Sequence, residues 1–186
     1  MSTDASTGTG GTLWLTGLSG AGKTTVALAV QEKLAASGND VRVELLDGDE
    51  LRDHLSPGLG FTKEERDAHV TRVGYLARLL ARNGVLVLVP VIAPYEQTRD
   101  RIRDEHAAEG TPYALTYVST SVDECARRDV KGLYAAHAAG KVTHLTGVDD
   151  PYEAPTAPDL DLDTTDIDTQ EAADRVIALL QKRGML

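Results

Sequence analysis

The stretch Thr12–Thr25 reads TLWLTGLSGAGKTT, in which a short apolar run passes directly into a segment rich in glycine. Gly17, Gly22, Lys23 and Thr24 fall at the spacing G-x-x-x-x-G-K-[ST]. Glycines let the backbone bend so that successive N–H groups point at one anion, and a helix that begins there adds the positive end of its dipole. The stretch therefore predicts a strand, a phosphate-binding loop and a helix.

The side chains of this loop suit a nucleoside triphosphate. Lys23 can reach the β- and γ-phosphates, and the Thr24 hydroxyl can ligate Mg²⁺. A glycine-rich turn without a ligand is the alternative, but the strand before the loop and the helix after it favour the nucleotide site. The residues predicted to bind the nucleotide are Gly17, Ser19, Gly20, Ala21, Gly22, Lys23, Thr24 and Thr25.

Short apolar runs alternate with helical patterns along the rest of the chain. The runs 41–46, 85–91 and 114–120 have the length and composition of buried strands. Apolar residues recur at helical spacing between the strands, at Val26, Val30 and Leu34 and again at Val70, Val73, Ala77 and Leu80. Such alternation predicts an α/β fold of three layers, with a mainly parallel sheet and helices on both faces.

The later part of the chain is less regular. Helices are predicted over 96–106 and 169–183, and the signal Asn83-Gly84 ends the helix before the third strand. The stretch 149–168 is rich in Pro and Asp, which predicts a loop leading to one short edge strand. No linker divides the chain, so a flexible segment, 1–11, is expected before a single domain, 12–186.

Composition narrows the classes of partner. Lys and Arg total 19 against 29 Asp and Glu, a formal net charge of −10, which argues against a general nucleic-acid or anionic-membrane binder. The beginning of the sequence lacks a signal-peptide pattern, and the longest apolar run, 85–94, is about half a membrane span. Cys125, the one cysteine, is expected as a buried thiol on a helix. These features predict a cytoplasmic protein.

Two carboxylates follow the second predicted strand, in the segment LLDGDELR. Ligands bind at the carboxyl edge of open α/β sheets, where this segment is expected to lie. Phosphoryl transfer to a hydroxyl needs a carboxylate that accepts a proton or helps to hold Mg²⁺. Asp49 is predicted to fill both roles, with Asp47 as the second catalytic carboxylate. The alternative is a turn at Asp47-Gly48 with Asp49 as a helix cap.

Six segments, in order, resemble the adenylylsulfate kinase (APS kinase) family: GLSGAGKTT, LDGDELR, LGFTKEER, PVIAPYEQTR, RDVKGLY and LTGVDDPYEAP. The resemblance runs from about Thr12 to Pro158. It implies the P-loop NTPase fold and transfer of the γ-phosphate of ATP, with Mg²⁺, to the 3′-hydroxyl of adenylylsulfate. It also implies a homodimer.

The resemblance assigns further residues to the acceptor. It implies that Phe61 stacks on the substrate adenine, with core filling as the alternative, and that Arg66 grips the anion. LTGVDDPYE resembles the loop that closes over the nucleotides. Arg128 is expected on the ATP side, with a solvated helix face as the alternative. The implied substrate-binding set is Asp49, Arg52, Phe61, Arg66, His69, Ile92, Ala93, Lys131, Leu145 and Thr146.

Four departures from the family pattern fall on the acceptor side. Ala93 replaces a serine that can be phosphorylated in many relatives, and Leu145 replaces a second stacking phenylalanine. His69 stands where an asparagine is common, and Ala135-Ala136 replaces a basic pair. These changes leave open a kinase of the same fold that acts on another nucleoside, nucleotide or sugar hydroxyl. A nucleotide-dependent switch is less favoured, because LDGDELR would have no purpose in one.

Overall fold

The structure is a computed structural model that describes residues 10–38 and 40–186. The described part contains five strands and seven helices. The strands are β1 (Gly11–Thr16), β2 (Arg42–Leu45), β3 (Val85–Val89), β4 (Tyr113–Tyr117) and β5 (Leu160–Asp161). The helices are α1 (Lys23–Ala36), α2 (Gly48–Leu55), α3 (Lys63–Ala81), α4 (Glu96–Ala108), α5 (Val122–Arg128), α6 (Leu133–Ala138) and α7 (Thr169–Lys182).

All five strands are parallel and lie in the order β2-β3-β1-β4-β5. Side chains alternate across the sheet, because successive residues of a strand point to opposite faces. In β1, Leu13 and Leu15 pack into the core beneath α1 and α7, whereas Trp14 packs into the core beneath α3 and α4. Leu86 and Val87 of β3 divide in the same way. The sheet therefore separates two cores, and the predicted three-layer architecture is confirmed.

The predicted elements match those of the structure closely. The short strand β5 and the helices α4 and α7 lie where the sequence predicts them, and Cys125 is buried on α5. The strand β1 begins at Gly11, one residue before the predicted domain boundary, and residues 1–9 of the predicted flexible segment lie outside the described residues. Over 10–38 and 40–186, no helix has the length and apolar character needed to cross a membrane.

The parallel sheet gathers the segments that carry the sequence motifs. The carboxyl ends of parallel strands meet at one edge of the sheet, and β1 lies at its centre. The phosphate-loop segment leaves β1, the LDGD segment leaves β2, and Ile92 and Ala93 follow β3. These three segments therefore emerge side by side at the same edge.

Candidate active site

The loop between β1 and α1 has the backbone that a phosphate cradle requires. Gly17 has a φ of 146°, and a Cβ on it would lie 2.3 Å from the carbonyl oxygen of Val118. Any side chain there would both strain the backbone and clash with Val118, the residue that follows β4. Glycine at this position is therefore a steric requirement of the loop.

Lys23 is buried at the beginning of α1. Its Nζ donates a 2.7 Å hydrogen bond to the carbonyl oxygen of Leu18, within the same loop. Burial, followed by the repulsion of nearby Lys131, lowers its pKa to about 8, although neighbouring Cys125, Asp49 and Asp47 oppose the shift. The charged form of Lys23 thus lacks a full counter-charge, which an incoming phosphate can provide.

Asp47 connects the phosphate loop to α2. Its Oδ1 accepts a 3.0 Å hydrogen bond from the backbone N–H of Asp49, which caps the helix, and its Oδ2 accepts the hydroxyl hydrogen of Thr24 at 3.2 Å. The cap predicted as an alternative for Asp49 is therefore formed by Asp47. Thr24 and Asp47 place two oxygen ligands together beside the phosphate loop, and oxygen ligands are those that Mg²⁺ prefers.

Asp49 lies on the first turn of α2 and is exposed. Its carboxylate forms an ion pair with Lys131, which belongs to the connection between α5 and α6. Burial lowers the pKa of both Lys23 and Arg52, and Asp49 lies near enough to each of them to oppose that shift. It therefore stands between the phosphate loop and the arginines of the predicted acceptor site.

Phe61 forms an aromatic platform rather than part of the core. Its side chain is 52% exposed, and the guanidinium carbons of Arg52 and Arg66 lie 4.6 and 5.3 Å from its ring centroid. Backbone oxygens hold both arginines in place: Arg52 Nη1 donates to Gly60 at 2.9 Å, and Arg66 Nε donates to Phe61 itself at 2.8 Å. The alternative of core filling is therefore wrong for this ring.

A lid loop, residues 144–153, closes the site from the opposite side. Arg66 Nη2 donates to the carbonyl oxygen of His144 at 2.5 Å and lies 3.3 Å from the carboxylate of Asp150. Gly147 has a φ of 87°, and a Cβ there would lie 2.5 Å from the Leu18 side chain of the phosphate loop. The lid loop thus contacts both the acceptor arginine and the donor loop.

Leu145 and Thr146 of the lid loop are buried. Backbone N–H groups of His144 and Leu145 donate to the carboxylate of Asp149 at 2.9 and 2.6 Å, which fixes the turn. The hydroxyl of Thr146 has no hydrogen-bond partner among the described residues. A buried hydroxyl in this state can bond to a ligand that enters the site.

His69 lies on α3, inside the wall formed by α2 and α3, and is buried. Its Nδ1 lies 2.9 Å from the Ser56 hydroxyl, whose oxygen accepts a 3.3 Å hydrogen bond from Arg72. Burial and the charges of Arg52 and Arg72 lower the pKa of His69 to about 4. Either tautomer of the neutral ring can form the contact with Ser56, because a hydroxyl can both donate and accept a hydrogen bond.

The loop after β3 is tied to the lid loop by Arg99, which the sequence did not single out. Ala93 is buried with a φ of 44°, and its carbonyl oxygen accepts a 2.7 Å hydrogen bond from Arg99 Nη1. Arg99 Nη2 donates at 2.6 Å to the carbonyl oxygen of Glu153, at the end of the lid loop. The carbonyl oxygen of Ile92 accepts the hydroxyl hydrogen of Thr16. Ile92 and Ala93 are thus fixed through their backbone.

Beside the phosphate loop is a cavity of about 380 Å³. Arg128 lines it, and each of its donor nitrogens is engaged in the guanidinium plane: Nε by Glu124 at 2.7 Å, and Nη1 and Nη2 by Thr164 at 2.8 and 2.7 Å. The alternative of a solvated helix face is therefore wrong for Arg128. The cavity is lined by Gly22, Thr25, Val26, Glu124, Arg127, Arg128, Thr164, Thr165, Ile167, Asp168, Thr169 and Ala172.

A larger groove, of about 740 Å³, follows the outer face of α4. Its lining includes Glu96, Asp100 and Asp104 but no residue of the phosphate loop. Acidic side chains repel a nucleotide, so the smaller cavity beside the loop is the better nucleotide site.

Comparisons with known proteins agree with this geometry. The family model described as adenylylsulphate kinase matches residues 9–163. The adenylyl-sulfate kinase of Myxococcus xanthus is 50% identical over 175 residues, which cover 94% of this chain and 92% of that protein. The adenylyl-sulfate kinase of Deinococcus deserti is 49% identical over 172 residues, covering 92% of each.

Solved structures give the same result. The APS kinase of Mycobacterium tuberculosis, in complex with AMPPNP and APS, is 44% identical with a TM-score of 0.88, covering 92% of this chain and 98% of that one. A gluconokinase of Sinorhizobium meliloti is 21% identical with a TM-score of 0.61 and shares the fold alone. The chain described here belongs to the adenylylsulfate kinase family.

Proposed function

We propose that this chain transfers the γ-phosphate of ATP to the 3′-hydroxyl of adenylylsulfate, with Mg²⁺, to give 3′-phosphoadenylylsulfate. The observation that carries the proposal is the half-exposed Phe61 ring, with the guanidinium groups of Arg52 and Arg66 close beside it. A flat apolar face flanked by two guanidinium groups suits an adenine that carries an anionic phosphosulfate. Asp49 joins this platform to the phosphate loop.

On the donor side, Lys23 exchanges the Leu18 carbonyl for the phosphate oxygens of ATP, which supply the counter-charge that the buried ammonium group lacks. Thr24 and Asp47 fit the oxygen-rich surroundings of Mg²⁺, so Asp47 is a better metal-side carboxylate than Asp49. When bound, Mg²⁺ neutralises charge that develops between the β- and γ-phosphates. Arg128 offers the base its flat face, because its in-plane donors are engaged.

On the acceptor side, Arg52 and Arg66 bind the phosphosulfate, and Asp49 accepts the proton of the 3′-hydroxyl. The ion pair between Asp49 and Lys131 orients that carboxylate at the cleft in the free protein. In the tautomer that carries its proton on Nε2, the neutral His69 ring can donate to an acceptor oxygen without adding charge. The lid loop excludes water, which suppresses wasteful hydrolysis of ATP.

A coupled assay of ADP release tests the proposal. Turnover is expected to require both ATP and adenylylsulfate. Intact ATP binding without adenylylsulfate-dependent turnover would contradict the proposal, and a panel of nucleosides, nucleotides and sugars would then identify a different acceptor. Release of ADP that no acceptor accelerates would instead support the alternative of a nucleotide-dependent switch.

We propose a cytoplasmic location, which the buried Cys125 thiol of the described chain supports. We also propose a homodimer, on the family resemblance. The APS kinase of Thiobacillus denitrificans, which is 34% identical with a TM-score of 0.73 over 97% of this chain but only 30% of that one, is hexameric. Light scattering of the purified chain separates monomer, dimer and hexamer.

A further inference from the structure

Thr164, two residues after Leu162 in the segment that leaves β5, occupies a central place between the nucleotide cavity and the phosphate loop. Its hydroxyl donates a 2.9 Å hydrogen bond to the carbonyl oxygen of Ala21 and accepts one from Arg128 Nη1 at 2.8 Å. Its own carbonyl oxygen accepts a second hydrogen bond from Arg128, from Nη2 at 2.7 Å. A single threonine thus contacts both parts of the donor site.

The surroundings of Thr164 leave little freedom for it to move. Its hydroxyl lies 2.8 Å from that of Thr120, which also receives the backbone N–H of Thr164 at 3.2 Å. A Cβ added to Gly22 would lie 3.2 Å from Thr164 Oγ1, so the loop approaches the threonine closely. The hydroxyl is therefore held by the end of β4 on one side and by the phosphate loop on the other.

We propose that Thr164 is a positioning residue that fixes the plane of the Arg128 guanidinium group, against which the nucleotide base stacks. Through its contact with Ala21, it also fixes the position of this guanidinium group, the base wall, relative to the phosphate loop. This inference rests on the proposed use of ATP. A guanidinium that stacks on a base must hold its plane, and in-plane hydrogen bonds fix that plane. Glu124 engages Nε, and Thr164 engages both terminal nitrogens, so Thr164 decides the orientation of the outer end.

The change Thr164→Val distinguishes the contact of the Thr164 hydroxyl with Arg128 from its contact with the carbonyl oxygen of Ala21. Valine removes the hydroxyl that Arg128 Nη1 requires, whereas Ala21 keeps a second donor, the Thr120 hydroxyl at 3.2 Å. The loss is therefore expected to fall on the base wall more than on the phosphate loop. Thr164→Ser keeps the hydroxyl and is expected to behave like the unchanged chain.

Calorimetric titration with Mg²⁺-ATP and with Mg²⁺-tripolyphosphate tests the proposal, because tripolyphosphate lacks a base. In Thr164→Val, the Kd for ATP is expected to rise about tenfold, as for loss of a hydrogen bond to a charged group, and the Kd for tripolyphosphate less than about twofold. The matched control is Thr156→Val, whose hydroxyl bonds to Glu96 instead. Equal weakening of both ligands, no weakening of either, or a Thr164→Ser variant that behaves like valine would overturn the proposal.

A second comparison excludes a general loss of folding. In an Arg128→Ala background, where the wall is absent, Thr164→Val is expected to leave the ratio of the two Kd values unchanged. A further change in that ratio would show that Thr164 does not act through Arg128. Since no acceptor is present in these titrations, they can succeed even if adenylylsulfate proves not to be the substrate.

Discussion

On the donor side, the Lys23 ammonium group donates to a backbone carbonyl oxygen. On the acceptor side, in contrast, Lys131 pairs with the carboxylate of Asp49, and Arg66 pairs with that of Asp150. The donor cation is thus buried without a full counter-charge, whereas Lys131 and Arg66 already have anionic partners. ATP supplies a missing charge, but adenylylsulfate has to replace charges that are present. Exposed ion pairs contribute only about 0–1 kcal/mol, so the exposed Asp49–Lys131 pair is displaced at little cost.

The largest effect is expected from the donor side. Lys23→Ala removes the charge that binds the transferring phosphate and is expected to lower kcat by about 10³-fold, the upper range for loss of one preorganised donor. ADP release in the coupled assay measures it. Lys33→Ala, on the same helix but paired with Asp174 of α7, is the control and is expected to keep full activity. Comparable activity in the two variants would contradict the assigned role of Lys23.

Replacing the Asp49 carboxylate tests whether it acts in catalysis or in ATP binding. Asp49→Asn is expected to lower kcat by about 10²-fold, the contribution typical of a general base, with the Kd for ATP unchanged. Asp53→Asn, an exposed carboxylate one turn further along α2, is the control. Equal losses in kcat and in ATP affinity would instead assign Asp49 a binding role.

Asp47→Asn tests the metal side alone. Asparagine caps a helix as well as aspartate does, so α2 should remain stable. The concentration of Mg²⁺ that gives half-maximal activity is expected to rise about tenfold, because a charged ligand becomes neutral. An unchanged Mg²⁺ requirement would remove Asp47 from the metal site.

The platform of the acceptor side depends on one ring. Phe61→Ala is expected to raise KM for adenylylsulfate about 30-fold, within the range for loss of one base–aromatic stack, with KM for ATP nearly unchanged. Steady-state kinetics with each substrate varied in turn measure both values. Tyr75→Ala removes an equally exposed ring from α3, away from the site, and serves as the control. Equal effects on both KM values would contradict the stacking role.

The smallest effect is expected from pH. Burial lowers the pKa of Lys23 to about 8, so the free protein loses this charge as pH rises through 8. Because ATP binds the protonated form, kcat/KM for ATP is expected to fall about fivefold between pH 8 and 9, as for titration of one group. His69, whose pKa is lowered to about 4, should add no inflection near neutral pH. A flat profile up to pH 10 would show that Lys23 keeps its proton.

Much of the donor side was predictable because its chemistry is local. The spacing of Gly17, Gly22, Lys23 and Thr24 places every loop group within nine residues, and backbone geometry alone determines where they point. The alternation of strands and helices likewise predicted the three layers. The motif segments of the acceptor side were found by resemblance, and the partners of their side chains were not.

Those partners come from distant parts of the chain. The sequence placed Asp49 near a metal, but the fold brings Asp47 to Thr24 and Asp49 to Lys131. Neither the role of Arg99 as a tie between Ala93 and Glu153 nor that of Thr164 beside Ala21 has a local signal.

The sequence by itself therefore determined the fold, the phosphate loop and the residues that reach the carboxyl edge of the sheet. Only the tertiary structure decided which charges neutralise one another there. The physical reason is that strand and loop geometry depend on neighbouring residues, whereas an ion pair depends on the meeting of groups separated by many. Asp49 and Lys131 lie 82 residues apart, and Ala21 and Thr164 lie 143 apart.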